Sequence, residues 1–379
     1  AYNNANSVVA QDNTSTDGNY LLTIGAGSGI HRVEITDLPS YLEPGAAGTT
    51  TVFFAGPNET LEVALENPGK FSQNDPTLIT TCFIEGPQPG AMEEALIRFN
   101  YDAGCFDAGV NASCDDGGDF ATPAPIAIAS AQEIGSTFGL AYQRSTESVY
   151  VAAFMKRHAG FRTNGESGII YRVQNPNTAS PTITEYIDFD ALGIPTQPGT
   201  GDPHPADGAS QIDWEMDNNS WDWVGKMSFG DLDISEDEQE LYVVNLFDRR
   251  LYRFPAKETP YTAADAGLIT AIDLPRPCGA EVDARPFGLG VYDGLVYFGM
   301  ICSGESTIGA WPGGQIPANT ATSFNTNPAG NRTALSAKVY TYDPVAGTVN
   351  NTAVLDFPLN FGRGFAINSG YGPTAAAWN

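Results

Sequence analysis

Phe229-Gly230-Asp231-Leu232-Asp233, followed by Leu241-Tyr242-Val243, Leu251-Tyr252-Arg253-Phe254 and Ile269-Thr270-Ala271-Ile272-Asp273-Leu274, is the stretch that decides the fold. Each run is short, rich in β-branched and aromatic residues, and set off by turn chemistry such as Asp248-Arg249-Arg250. The same order recurs on either side. Phe138-Gly139-Leu140-Ala141-Tyr142 precedes Val149-Tyr150-Val151, Ile170-Tyr171-Arg172-Val173 and Ile183-Thr184-Glu185-Tyr186-Ile187. Phe287-Gly288-Leu289-Gly290-Val291 precedes Val296-Tyr297-Phe298, Val339-Tyr340-Thr341-Tyr342 and Val354-Leu355-Asp356-Phe357. Four consecutive short strands per unit predict the blades of a β-propeller, which repeats four-stranded sheets. The Phe-Gly pair suits this arrangement, because Phe packs between neighbouring blades while Gly lets the innermost strands crowd together. A fourth pair, Phe361-Gly362, would open another blade, and Leu78–Cys82, Leu96–Phe99 and Ile126–Ile128 supply three strands ahead of the first pair. The propeller-like domain is therefore placed at residues 73–379, with blade starts near 138, 229, 287 and 361, and is expected to continue past the chain end.

Composition agrees with an all-β class. The 379 residues include 41 Gly, 26 Pro, 20 Phe and 16 Tyr, which favours turns and strands over long helices. Eighteen basic against 45 acidic residues leave a formal charge of −27, which excludes nucleic acid as a main partner and makes anionic membrane surfaces equally unsuitable. No run approaches the roughly 18 apolar residues of a membrane helix, so no membrane insertion is expected. Five cysteines, Cys82, Cys105, Cys114, Cys278 and Cys302, show no zinc-ligand spacing. Cys105 and Cys114 flank a Gly- and Asp-rich loop, and Cys278 and Cys302 bracket a two-strand hairpin. Those two disulfides are predicted, with Cys82 unpaired, and they favour an oxidising compartment.

Ahead of the repeat, Tyr20–Ile24, His31–Ile35, Thr50–Phe54 and Glu59–Leu65 read as short strands of a small β-sandwich over residues 1–72. Here Thr14-Ser-Thr-Asp17-Gly-Asn-Tyr20-Leu, then Arg32-Val-Glu-Ile-Thr-Asp-Leu-Pro39, resembles the closing strands of Cna B-type (SdrD B-like) domains, as a partial module. Residues 224–302, with Phe229-Gly-Asp-Leu-Asp-Ile-Ser235 and Arg285-Pro-Phe-Gly-Leu-Gly-Val291-Tyr, resemble the propeller-like region that follows such modules in large secreted bacterial adhesin and gliding-type surface proteins. The resemblance implies a non-enzymatic module displayed on a bacterial cell surface for adhesion, attachment or gliding, with surface polysaccharide or another surface protein as partner.

Two other functions are weighed against that one. A calcium-dependent propeller hydrolase would need carboxylates near the axis, and Asp231 and Asp233 lie on one face of an inner strand. They are the candidate metal ligands; calcium is the one possible cofactor. Aligned on the Phe-Gly pairs, the other blades offer Leu140/Tyr142, Leu289/Val291 and Arg363/Phe365 there, which argues against a shared cluster. A lectin-like propeller would use Trp214, Trp221, Asp222 and Trp223, where indole faces stand beside carboxylates as sugar recognition requires. Packing of those tryptophans in a covered loop is the plainer alternative. The acidic turn Glu236-Asp237-Glu238 reads as a solvated loop. His31, His158 and His204 fall in three separate contexts and form no recognisable nucleophile, base and acid grouping, so no catalytic residue is assigned.

Overall fold

The computed structural model describes residues 1–15, 19–25, 29–38, 42–44, 50–66, 76–101, 124–163, 165–307 and 334–359. The chain divides into two units, Ala1–Pro76 and Thr77–Asn379. In the first, β1 (His31–Glu34) pairs antiparallel with β3 (Val52–Ala55), and β2 (Glu43–Pro44) with β4 (Leu65–Glu66). Val33 and Ala55 are buried there with Ala1. The segments 20–24 and 59–64, read above as strands, belong to no ladder.

The second unit is a series of antiparallel sheets. β5 (Thr77–Thr81), β6 (Glu94–Asn100) and β7 (Ile126–Ser130) form a three-stranded sheet. Two four-stranded sheets follow: β8 (Thr137–Gln143), β9 (Ser148–Ala153), β10 (Ile169–Gln174) and β11 (Thr182–Asp188), then β12 (Phe229–Ile234), β13 (Glu240–Asn245), β14 (Arg250–Pro255) and β15 (Thr270–Asp273). In the last sheet β16 (Ala284–Tyr292), β17 (Leu295–Cys302) and β18 (Ser336–Asp343) are consecutive, and both β19 (Thr348–Val349) and β20 (Leu355–Pro358) pair with β18. The fold is all-β and propeller-like. The proposed blade opening at Phe361-Gly362 lies outside the described residues, as do Arg363, Cys105 and Cys114.

The inner strands β8, β12 and β16 lie side by side, and each carries one extra residue relative to its ladder partner. The shift falls between Thr137 and Leu140, between Phe229 and Leu232, and between Pro286 and Leu289. This shared β-bulge sets the true alignment of the repeat, and it differs from the one read off the Phe-Gly pairs. Leu140, Leu232 and Leu289 are equivalent, so the middle pair is displaced by one residue and Gly230 stands where its neighbours have Phe138 and Phe287. Those two rings meet at 5.3 Å, with Phe154 5.3 and 5.8 Å away. Phe229 instead turns into the core between sheets, 5.0 Å from Phe189 and fully buried. A corrected equivalence follows for the carboxylates: Asp231 and Asp233 match Gly139/Ala141 and Gly288/Gly290, all small residues.

Glycine at the bulge is a steric requirement. A Cβ on Gly230 would sit 2.7 Å from the Phe287 carbonyl oxygen, and one on Gly139 would sit 2.7 Å from the Leu232 nitrogen. Both obstacles are backbone, which cannot rotate away. Gly230→Ala is expected to lower stability by about 1–3 kcal/mol through overpacking, whereas Gly290→Ala, which meets nothing within 4 Å, leaves the urea midpoint near the wild-type value. Urea unfolding of both variants checks the contrast.

Candidate ligand-binding site on the loop face

The long insertion between β11 and β12 is held down by a buried charge cluster. Residues Gln211–Met216 form a short helix, α1, whose Trp214 is only 1% exposed. Trp214 stacks on His204 at 5.6 Å and fills the room left by Gly160, where a Cβ would approach the indole to 2.9 Å. The His204 side chain is sealed from solvent with acceptors on both ring nitrogens: Nδ1 donates to Asp202 Oδ1 at 2.8 Å and Nε2 to the Lys156 carbonyl at 3.1 Å. Two acceptors require two protons, so the ring is an imidazolium. Burial opposes that charge, but Asp202, with Asp217 Oδ2 3.8 Å from Nε2, raises the histidine above its ordinary range. Asp217 also accepts the His158 backbone N–H at 2.7 Å, and His158 Nδ1 donates to the Trp214 carbonyl at 2.9 Å. Two histidines that the sequence keeps apart thus meet around one tryptophan, as a fixed structural pin.

Beyond the pin, the four candidate ligand-binding residues separate. Trp214 is core. Trp221 is exposed and lies under the Arg157 guanidinium at 4.8 Å. Asp222 and Trp223 border a cavity of about 640 Å3 together with Lys226, Phe247, Arg249, Val282, Arg285, Glu305 and Ser306. Its walls come from the insertion, the β13–β14 turn, the start of β16 and the segment after β17.

Each wall has an identifiable support. The Cys278–Cys302 disulfide ties the crossover ahead of β16 to the end of β17. Buried Asp283 accepts the Ser306 N–H at 2.7 Å and its hydroxyl at 2.6 Å, fixing the turn that carries Glu305. Glu305 sits between Lys226 Nζ, at 2.9 Å, and Arg285. Burial opposes its ionisation, but the two cations hold its carboxyl below the usual range. Arg249 occupies the left-handed region at φ 61° and donates to the Glu281 carbonyl at 2.7 Å. Sequence reasoning missed Lys226, Arg249, Arg285 and Glu305, since nothing in their spacing brings them together.

Asp231 and Asp233 serve the scaffold. Asp231 Oδ2 accepts the Leu289 N–H at 3.2 Å and Asp233 Oδ2 the Val291 N–H at 2.7 Å, both from the next inner strand. Their remaining oxygens accept from Leu232 and Ile234 at 3.0 and 2.8 Å. Burial pushes both carboxyls up, partly offset by those N–H groups. The neighbouring turn is solvated, with Glu236 and Asp237 exposed, and also hydrogen-bonded: Glu236 accepts from Asp293 and Gly294 on one side, and Glu238 from Ser145 and Arg144 on the other. Among the described residues no group of three or more His, Cys, Asp or Glu side chains is placed to hold a metal ion.

No family model matches this chain. Colossin-D of Dictyostelium discoideum is 33% identical over 193 residues, covering 50% of this chain and 19% of that protein. Colossin-C of the same organism is 25% identical over 301 residues, 79% and 25% of the two chains, and Colossin-A 24% over 369 residues, 93% and 3%. The chain thus spans a quarter or less of these relatives' lengths. Solved structures with similarity include an endo-1,4-beta-xylanase from Bacteroides thetaiotaomicron, with TM-score 0.30, 12% identity and 76% and 71% of the two chains covered. A luciferin-regenerating enzyme gives TM-score 0.29, 10% identity and coverage of 86% and 81%. Two expectations are corrected. The Cna B-type and bacterial adhesin resemblance gives way, because the relatives are colossins of a eukaryote and no family model supports such a module. The expectation of a non-enzymatic chain is likewise not kept: a xylanase and a luciferin-regenerating enzyme are among the similar solved structures, although likeness at those TM-scores transfers no activity to this chain.

Two measurements test the assignments. His204 is raised above 6.5 in the folded state, so its stabilisation is complete below that value and is lost as pH rises through the folded pKa. Stability should therefore fall as pH rises above about 6.5 and through the folded value, and His204→Phe should cost about 3–5 kcal/mol at the acid end while flattening that slope. Asp233→Asn turns an amide NH2 toward a backbone N–H and should cost about 1–3 kcal/mol. Wild-type melting should be the same in chelator and in calcium, and a calcium-dependent rise would return Asp231 and Asp233 to the metal-ligand role.

Proposed function

We propose that this chain binds saccharide in the cavity bordered by Asp222, Trp223, Lys226, Arg249, Arg285 and Glu305. The observation that carries the reading is the chemistry of that lining. Two aromatic side chains, Trp223 and Phe247, offer apolar surface for the CH groups of a sugar ring. Around them stand charged donors and acceptors of both signs, which suit vicinal hydroxyls better than an apolar ligand. The volume of about 640 Å3 lies within the range of small-ligand sites. Loops carried on stacked sheets supply the walls, so side chains from separate turns are held in fixed relation without a lid. Surface polysaccharide is the partner this reading favours, and display outside the cell is the setting in which the Cys278–Cys302 bridge persists.

Saccharide arrays followed by calorimetry on the full chain test the proposal. Asp222→Ala, at an exposed position, and Trp223→Leu should each weaken the best sugar roughly tenfold, with melting temperature recorded because Trp223 also leans on the core. The mixture is then analysed for cleaved or rearranged sugar, which decides whether the ligand is turned over. Binding unaffected by both substitutions would place the site elsewhere.

A further inference from the structure

The cations of the cavity are not equivalent. Lys226 and Arg285 share the Glu305 carboxylate, so their charge is answered inside the protein. Arg249 forms no ion pair among the described residues, and its guanidinium donates to the Glu281 carbonyl, a neutral acceptor. Arg276, close enough to Arg249 to feel its charge, also lacks an ion pair among the described residues. Arg276 reaches the Asp248 carbonyl at 3.4 Å, and its Nη1 is buried without an acceptor. Arg285 Nε, in the cavity wall, is a second buried donor in the same condition. Burial first, and then the positive charge of Arg249, hold the Arg276 guanidinium below its ordinary range. Glu281, Asp248 and Asp273 offset part of that repulsion at Arg276, whereas Arg249 itself lines the cavity with no ion pair among the described residues, so an anion there would gain a charged partner.

We infer that the cavity selects an acidic sugar, a hexuronate or a polymer of one, whose carboxylate is received by the Arg249 guanidinium while Trp223 and Asp222 take the ring. This rests on the saccharide reading above and adds the charge of the ligand. A guanidinium presents parallel N–H donors that match a carboxylate in plane, which a lysine does not. Neutral sugar would leave the Arg249 guanidinium without a counter-charge, so it gains less on binding.

The test is calorimetry on the full chain with glucuronic acid, galacturonic acid and a galacturonate oligomer against glucose, galactose and the methyl-esterified oligomer. Wild type should prefer the acids roughly tenfold or more, with the preference shrinking as salt is added. Arg249→Asn, chosen because Asn tolerates the left-handed turn, should bring acid and neutral sugar to equal affinity, and Arg249→Lys should keep part of the difference. Equal wild-type affinity for acid and neutral sugars overturns the inference while leaving the saccharide reading in place. So does a preference that survives in folded Arg249→Asn. Wild type that binds neither kind of sugar overturns both. Should Arg249→Asn fail to fold, the wild-type comparison of esterified with free oligomer decides alone.

Discussion

An innermost strand has a ladder partner on one side and a row of unpaired backbone groups on the other, and the structure depends on how that open edge is satisfied. β16 shows the solution. Its Leu289 and Val291 N–H groups point toward β12 and are received by the Asp231 and Asp233 carboxylates. The device works because Gly139 and Gly230 allow the inner strands to approach within backbone contact, which brings the β12 carboxylates to the β16 N–H groups. Glu236 and Glu238 extend the same bond type to the hairpin turns on either side. Four carboxylates on one strand and its turn thus link three consecutive sheets.

The same use of carboxylates recurs in the loops. Asp190 accepts the Thr196 N–H, Asp217 that of His158, Asp283 that of Ser306, and Glu133 that of Ser130. Loops that run over the ends of sheets leave N–H groups without ladder partners, and an ionised acceptor satisfies them with a stronger bond than a neutral one. A good part of the acidic composition is therefore structural. Against that background, the cavity is a place where cations and carboxylates stand together, Lys226, Arg249 and Arg285 with Asp222 and Glu305. The cavity itself is a by-product of the scaffold's constraints: the His204 pin fixes the insertion, the disulfide and Asp283 fix the β16 and β17 ends, and a left-handed turn projects Arg249.

Alternating apolar runs and the recurring Phe-Gly pair were enough to read an all-β chain of successive four-stranded units, because strand periodicity and turn residues act over a few neighbours. Cys278 and Cys302 were legible for the same reason, as they bracket a hairpin whose strands follow directly in sequence. Three features were beyond that reach. The one-residue displacement of the middle Phe-Gly pair depends on which ladder bonds form across the bulge, so Asp231 and Asp233 were aligned with the wrong residues of the other sheets. The burial of Trp214, and its parting from Asp222 and Trp223, depend on His204 and Gly160, which meet it only after folding. The cavity cations lie at positions 226, 249 and 285 on separate turns, and no local pattern relates them. Sequence alone determined the type and order of the strands in the second unit, since those follow from local periodicity. The tertiary structure alone decided what each charged side chain does, since a carboxylate's role is set by whether a backbone N–H, a cation or open solvent lies within about 3 Å of it.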